Sequence, residues 1–115
     1  MKVTIYHNPR CSKSRQALQL LEKRGIEPEI VEYLDCPLST AELDNILKLL
    51  NMEPRELLRR NEKEYKEAGL DDPSLSRKDL IKRMVAHPRV IERPIVVANG
   101  KAVIGRPPEK VMKIL

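Results

Sequence analysis

The stretch VTIYHNPRCSKSR, residues 3–15, decides the fold, because it joins a strand to a helix through a polar loop. Val3 to Tyr6 is a short apolar run typical of a buried strand. From Ser12 to Arg24 the apolar residues recur at the spacing of one helix face, and Gly25 then ends the helix. Cys11 is therefore predicted at the junction between the strand end and the helix start.

The rest of the chain completes an α/β pattern. A second strand, Glu29 to Tyr33, is expected to pair in parallel with the first. Near the other end, Asn99-Gly100 separates two apolar runs and predicts a tight hairpin with antiparallel strands. Residues from about 38 to 90 show helical patterns only. This order predicts one domain over residues 1–115, with a mixed four-stranded sheet and a helical insertion, and it resembles the thioredoxin-like plan.

Several signals place the remaining helices. Ser39 and Glu42 form a capping box at the start of one helix, and Ser76 occupies the same position before another. Pro54 is expected to open a short helix that continues through Arg59 and Arg60, and Pro107-Pro108 is expected to open the last helix. The inward residues of that last helix are predicted to be Val111, Met112 and Leu115.

Composition excludes several classes of function. Apolar residues make up 41% of the chain and charged residues 34%, which suits a soluble globular protein. The net charge is +5, but basic and acidic residues alternate, and there are three Tyr and no Phe or Trp to stack on bases. No apolar run approaches the roughly 20 residues that span a bilayer, and no signal-peptide pattern begins the chain. We therefore expect a cytoplasmic protein without a nucleic-acid or membrane partner.

Two cysteines, Cys11 and Cys36, are too few for a disulfide framework or a structural metal site, so no metal is expected and thiol chemistry remains. At the start of a helix, free amides and the helix dipole favour an anion such as a thiolate. The nearby Arg10, Lys13 and Arg15 add positive charge, which favours the nucleophilic form of Cys11. The alternative is that Cys11 is an ordinary buried residue, as free cysteines often are.

Three neighbouring positions bear on the same chemistry. His7 lies four residues before Cys11 and would add charge or relay a proton, or would only hydrogen-bond to the backbone. Ser14 stands where a dithiol oxidoreductase has its second cysteine, so a disulfide within the loop is impossible. Cys36 lies in a predicted turn, as a resolving thiol or as a turn residue without a catalytic role. Electrons are therefore expected from an external thiol.

The motifs along the chain resemble those of the glutaredoxin-coupled arsenate reductases, and the similarity runs from residue 1 to residue 115. They are His7-Asn8-Pro9-Arg10-Cys11 with Ser14-Arg15, Leu57-Leu58-Arg59, His87-Pro88, Arg93-Pro94-Ile95-Val96-Val97 and Gly105-Arg106-Pro107. The chain has Ser12-Lys13 where that family usually has Gly-Thr, and it ends at Leu115 where longer members continue. Both departures suit a short branch of the family.

The resemblance implies a function and a set of site residues. Cys11 would attack arsenate and reduce it to arsenite through a covalent adduct, with His7 and Arg15 assisting and no bound cofactor. Glutathione would be the co-substrate and glutaredoxin the partner. A cis proline is implied at Pro94. The residues that would hold the oxyanion are Arg59, Arg93 and Arg106, with Arg60 as the alternative to Arg59.

Two other functions are compatible with the same residues. One is a thiol oxidoreductase that acts on a glutathione mixed disulfide or on another small anion. The other is a redox-responsive regulator that binds RNA polymerase through the helical insertion. Relatives of the second kind typically carry another cysteine three positions after the first, and Ser14 argues against that switch.

Overall fold

The computed structural model describes residues 2–115. Its sheet has the strand order β2-β1-β3-β4, in which β1 pairs in parallel with β2 and the other neighbours are antiparallel. The strands are β1 (Val3–Tyr6), β2 (Glu29–Val31), β3 (Ile95–Ala98) and β4 (Lys101–Ile104). This mixed four-stranded sheet confirms the predicted fold class and its thioredoxin-like plan.

Strand β2 is shorter than predicted. It ends at Val31, whereas the sequence pattern continues to Tyr33. The chain turns instead, because the amides of Asp35 and Cys36 both donate to the carbonyl of Glu32, at 3.0 and 2.9 Å. Cys36 is exposed in this turn and carries a free thiol.

The core of the first unit, formed by Met1–Cys36 and Arg93–Leu115, lies between the sheet and its helices. Helix α1 (Ser12–Lys23) buries Ala17 and Leu21 there. The last helix is a 3₁₀ helix, Pro108–Ile114, and not the expected α-helix. Because a 3₁₀ helix has three residues per turn, its buried residues recur at that spacing. They are Pro108, Val111 and Ile114, and Met112 and Leu115, which were expected to face inward, are partly buried and pack against the same core.

The hairpin between β3 and β4 has the predicted turn. Asn99 and Gly100 have φ values of 55° and 70°, the left-handed conformations that a two-residue hairpin of this type requires. Ala98 pairs with Lys101 across the turn. The Asn99 amide group also donates to the carbonyl of Ile114 at 2.9 Å, which ties the turn to the last helix.

The second unit, Pro37–Glu92, corresponds to the predicted helical insertion. Its helices are α2 (Thr40–Leu50), α3 (Lys63–Glu67) and α4 (Arg77–Ala86), with 3₁₀ helices at Pro54–Leu57 and Pro88–Val90. Helix α3 was not predicted, because its alternating charges carry no apolar face and none of its residues is buried. The Pro54 helix ends before Arg59, contrary to expectation.

That both units form one domain stays a prediction. Within residues 2–115, no helix combines the length and apolar character needed to cross a membrane.

The capping box at the start of α2 is expected to contribute to the free energy of unfolding. The Ser39 hydroxyl accepts the Glu42 amide at 3.1 Å, and the Glu42 carboxylate accepts the Ser39 amide at 3.2 Å. Ser39→Ala is expected to lower the free energy of unfolding by about 1 kcal/mol, because the helix loses its N-cap acceptor. Urea unfolding measures this change, with Thr40→Ala as the control at a neighbouring exposed position. Equal losses in both variants would contradict the capping role.

Candidate active site

The loop between β1 and α1 is organised by Asn8. Its carbonyl accepts the Cys11 amide and its side-chain oxygen accepts the Arg10 amide, both at 3.0 Å. Asparagine favours such local turns because its short side chain reaches the backbone two residues later. Cys11 itself has extended backbone angles and forms the N-cap position of α1, with its carbonyl accepting the Arg15 amide at 3.0 Å. The predicted place of Cys11 at the strand-to-helix junction is thus confirmed.

Ser14 ties this loop to the helix. Its hydroxyl oxygen accepts the Asn8 amide at 3.0 Å and lies 2.6 Å from Nδ1 of His7, and the residue is fully buried. A buried polar group is costly unless it is hydrogen-bonded, and here the hydroxyl has two partners. Sequence reasoning treated Ser14 only as an absent second thiol. The signal was available, since Ser14, Ala17 and Leu21 follow one another at the spacing of a buried helix face.

His7 is buried behind the loop, and its amide donates to the carbonyl of Val31 at 2.9 Å. Burial lowers the pKa of His7 below its ordinary value; the Glu32 carboxylate opposes this shift and the Arg15 charge adds to it. The neutral imidazole is therefore favoured, and its Nδ1 can accept the Ser14 hydroxyl proton. The idea that a protonated His7 adds charge to the site is disfavoured, while a role as proton relay stays a prediction.

Cys11 is only 8% exposed, but its surroundings are not those of a core cysteine. It is not part of the apolar cluster formed around Val3, Ile5 and Leu21. Instead, Nη2 of Arg106 donates to its sulfur at 3.5 Å. A guanidinium that donates to sulfur stabilises the thiolate form, because the hydrogen bond is then assisted by charge. The contact favours a reactive thiol over an inert buried one.

The backbone just before β3 and just after β4 positions the side chain of Arg106. Its Nε donates to the carbonyl of Arg93 at 2.8 Å, and the Gly105 amide donates to the carbonyl of Pro94 at 2.8 Å. A side chain at Gly105 would not fit, since a Cβ there would lie 2.9 Å from Cγ of Pro94. The Arg93–Pro94 peptide bond is cis, as the resemblance implied, and so is Arg106–Pro107, which was not anticipated. The structure thus places the Arg106 guanidinium between the Arg93 carbonyl and the sulfur of Cys11.

Arg15 contacts the backbone of the loop that carries Cys11, and its assisting role in catalysis stays a prediction. Its side chain is exposed, and Nη1 donates to the carbonyl of Pro9 at 2.8 Å. This bond closes the loop from the helix side, so Arg15 braces the segment that carries Cys11. Its effect on the electrostatics of the site is seen at His7, whose pKa it lowers.

Arg59 belongs to the second unit. It is half-buried and forms ion pairs with Glu62 and Glu92, whereas Arg60 is exposed. Both carboxylates were missed in the sequence: the Glu92 pairing depends on how residues 57–59 meet residues 90–92, and the Glu62 pairing on a turn that starts where helix was predicted. That Arg59 and not Arg60 shares the oxyanion site with Arg93 and Arg106 stays a prediction.

The described residues also form a cavity away from this loop. A surface cavity of about 650 Å³ lies between α2 and α4, but none of the predicted site residues lines it. Among the described residues, no three His, Cys, Asp or Glu side chains are grouped so that they could hold a metal ion. The loop around Cys11 is therefore the candidate active site.

Comparisons with known proteins cover almost the whole chain. The sequence model of the ArsC family matches residues 6–114. The protein named "Uncharacterized protein YfgD" of Escherichia coli (strain K12) is 57% identical over 115 residues, covering 99% of this chain and 97% of that one. An arsenate reductase of Neisseria meningitidis serogroup A is 49% identical, covering 99% and 98%. The solved structure of an arsenate reductase from Vibrio cholerae has a TM-score of 0.96 and 50% identity, covering 100% and 98%.

The neutral state of His7 predicts a dependence of stability on pH. Because the folded chain resists protonating His7 more than the unfolded chain does, this contribution is full above about 6.5, the ordinary pKa, and is lost as the pH falls. His7→Gln keeps a hydrogen-bonding group and removes the titration. We expect the free energy of unfolding of the wild type, measured against that of His7→Gln, to decrease from pH 8 to pH 5. A difference that stays constant across this range would show that His7 is not held neutral.

The contact between Arg106 and Cys11 predicts the reactivity of the thiol. Arg106→Gln is expected to slow alkylation of Cys11 by iodoacetamide at neutral pH roughly five- to tenfold, because a charge-assisted hydrogen bond to sulfur is lost. Arg106→Lys should be intermediate. The rates are measured in a Cys36→Ser background, so that only Cys11 reacts. Arg24→Gln, at the exposed end of α1, is the control, and equal rates in all variants would exclude activation by Arg106.

Proposed function

The chain belongs to the ArsC family, and on that premise we propose that it reduces arsenate to arsenite with Cys11 as the nucleophile. Relatives of about half identity over almost the whole chain are named arsenate reductases, which supports this substrate. The observation that carries the proposal is the guanidinium of Arg106 against the sulfur of Cys11. It places a positive charge where an oxyanion must lie when sulfur attacks it.

The arginines supply the binding site for the oxyanion. A planar guanidinium donates paired hydrogen bonds to tetrahedral oxyanions and stays charged at neutral pH. The bond from Arg106 Nε to the Arg93 carbonyl supports the assignment of Arg106 and Arg93 as two of the ligands. In this proposal Arg59 is the third oxyanion ligand. Charge that develops on the oxygens during attack is then stabilised by the groups that bind the substrate.

The first half of the reaction builds a covalent adduct. The Cys11 thiolate attacks arsenic, a sulfur–arsenic bond forms, and one oxygen leaves as water after taking up protons. The thiol of glutathione displaces a second oxygen as water in the same manner. Arsenic remains As(V) in both steps, because only ligands are exchanged. Covalent attachment divides a difficult two-electron reduction into thiol exchanges.

The second half transfers the electrons. A glutaredoxin thiolate attacks the glutathione sulfur, and a disulfide forms between the two. The bond between that sulfur and arsenic breaks with its electron pair on arsenic, which becomes As(III). Water then displaces arsenic from Cys11, which releases arsenite and restores the thiol. These reaction steps require no bound cofactor.

External thiols are needed because the loop offers no second one. Ser14 takes that position, and its hydroxyl is committed to His7 and Asn8. Cys36 carries a free, exposed thiol in the turn after β2, and no step of the proposed reaction uses it. Glutathione and glutaredoxin are abundant reduced thiols of the cytoplasm, which is the compartment we propose.

The test is a coupled assay with arsenate, glutathione, glutaredoxin and glutathione reductase, which reduces the glutathione disulfide formed and is followed by NADPH oxidation. We expect turnover in the wild type and in Cys36→Ser, and background rates in Cys11→Ser, because the nucleophile is lost. Omitting glutaredoxin should also reduce the rate to background. Arsenate-dependent rates that are equal in the wild type and Cys11→Ser would refute arsenate reduction by Cys11. NADPH oxidation with a glutathione mixed disulfide in place of arsenate, measured without glutaredoxin and lost in Cys11→Ser, would favour the mixed-disulfide alternative.

A further inference from the structure

Arg59 lies between two carboxylates. Nη1 pairs with Oε1 of Glu62, and Nε lies 3.6 Å from Oε1 of Glu92. The three side chains are 24%, 30% and 28% exposed, so water screens these charges only in part. One guanidinium therefore faces two carboxylates, although the proposed function assigns this same guanidinium to an anionic substrate.

The backbone fixes the pairing with Glu92. Leu58 and Ile91 form an antiparallel bridge, flanked by hydrogen bonds from the Arg59 amide to the Val90 carbonyl at 2.7 Å and from the Glu92 amide to the Leu57 carbonyl at 2.8 Å. In such a ladder, residues adjacent to the bridged pair project from the same face. Arg59 and Glu92 are thus diagonal neighbours, within reach of long side chains.

A turn fixes the pairing with Glu62. The Glu62 amide donates to the carbonyl of Arg59 at 3.2 Å, which folds the chain back over three residues. Its carboxylate then reaches the guanidinium of the same Arg59. Both carboxylates are therefore placed by main-chain geometry, and neither depends on a chance arrangement of flexible side chains.

We propose that Glu62 and Glu92 are specificity-determining residues that compete with the oxyanion for Arg59. The inference rests on the proposed function, because it requires Arg59 to contact the substrate. An incoming anion must share or displace these carboxylates, and it is repelled by their charge. Coulomb repulsion grows with the charge of the anion, so a dianion is disfavoured more than a monoanion of the same shape. The two residues weaken binding of highly charged tetraoxo anions and favour less charged ones.

The experiment compares Glu62→Gln and Glu92→Gln with Glu67→Gln, an exposed control that pairs with Lys63. Glutamine keeps the size of the side chain and removes its charge. We expect each of the first two variants to lower KM for arsenate about two- to fivefold with little change in kcat, as the loss of a half-exposed charge interaction predicts. Glu67→Gln should match the wild type. A KM that is unchanged or raised would overturn the proposal, because the carboxylates would then be neutral or would position Arg59.

A second measurement does not require turnover. In the Cys36→Ser background, sulfate and perchlorate are tetrahedral anions of charge −2 and −1 that should protect Cys11 from iodoacetamide. Glu62→Gln and Glu92→Gln should strengthen protection by sulfate about two- to fivefold and protection by perchlorate less. Strengthening that is equal for both anions, or absent, would overturn the inference. If arsenate turnover fails while this selectivity is found, the proposed reaction is wrong and the anion selectivity stands.

The role of Arg59 is tested with a double variant. Adding Glu92→Gln to Arg59→Ala should strengthen protection by sulfate less than the same change does in the presence of Arg59, because the competition for Arg59 is already removed and only direct charge repulsion remains. If Glu92→Gln strengthens protection as much without Arg59 as with it, the effect is a general one of net charge and the competition is refuted. Thermal unfolding of each variant shows whether it is folded.

Discussion

The arrangement of the site depends on the hydrogen bonds of one buried hydroxyl. Ser14 joins the end of β1, through His7 and Asn8, to the first turn of α1, so the loop that carries Cys11 is held at both ends. A side chain without this hydroxyl would leave the Asn8 amide and the His7 ring without their partner in a region closed to water, which costs more than the bond itself contributes. The position of the sulfur therefore follows from satisfying polar groups in the interior.

The second constraint is the register of the sheet, which brings residues far apart in sequence to the same sulfur. Cys11 and Arg106 are 95 positions apart. Strand β3 pairs with β1 on one side and β4 on the other, with Ile95 opposite both Tyr6 and Ile104. The chain leaving β4 thus runs beside the chain entering β3, and Gly105 lets it approach Pro94 closely enough for Arg106 to reach the Arg93 carbonyl. A one-residue slip would move Arg106 to the other face.

The features that could be predicted from the sequence are those that neighbouring residues determine. The strand before Cys11, the helix after it, the Asn99-Gly100 turn and the Ser39 capping box each rest on neighbouring residues, and all are present. The misses depend on contacts that a local pattern does not encode. Helix α3 has no apolar face, the last helix tightens to three residues per turn so that Ile114 is buried, and Glu92 meets Arg59 only through the Leu58–Ile91 bridge. The arginines were found through family resemblance, because nothing in their own neighbourhoods distinguishes them from the other basic residues.

These constraints also determine which groups carry charge near the sulfur. Burial lowers the pKa of His7, so the positive charge shown at the sulfur of Cys11 is the guanidinium of Arg106, which remains protonated throughout the physiological range. The Ser14 hydroxyl that lies against the His7 ring stands where a second thiol would be. The loop thus offers one sulfur beside a permanent positive charge, and in the proposed reaction the electrons therefore come from another molecule. The proposed separation of oxyanion binding from electron supply follows from one serine at position 14.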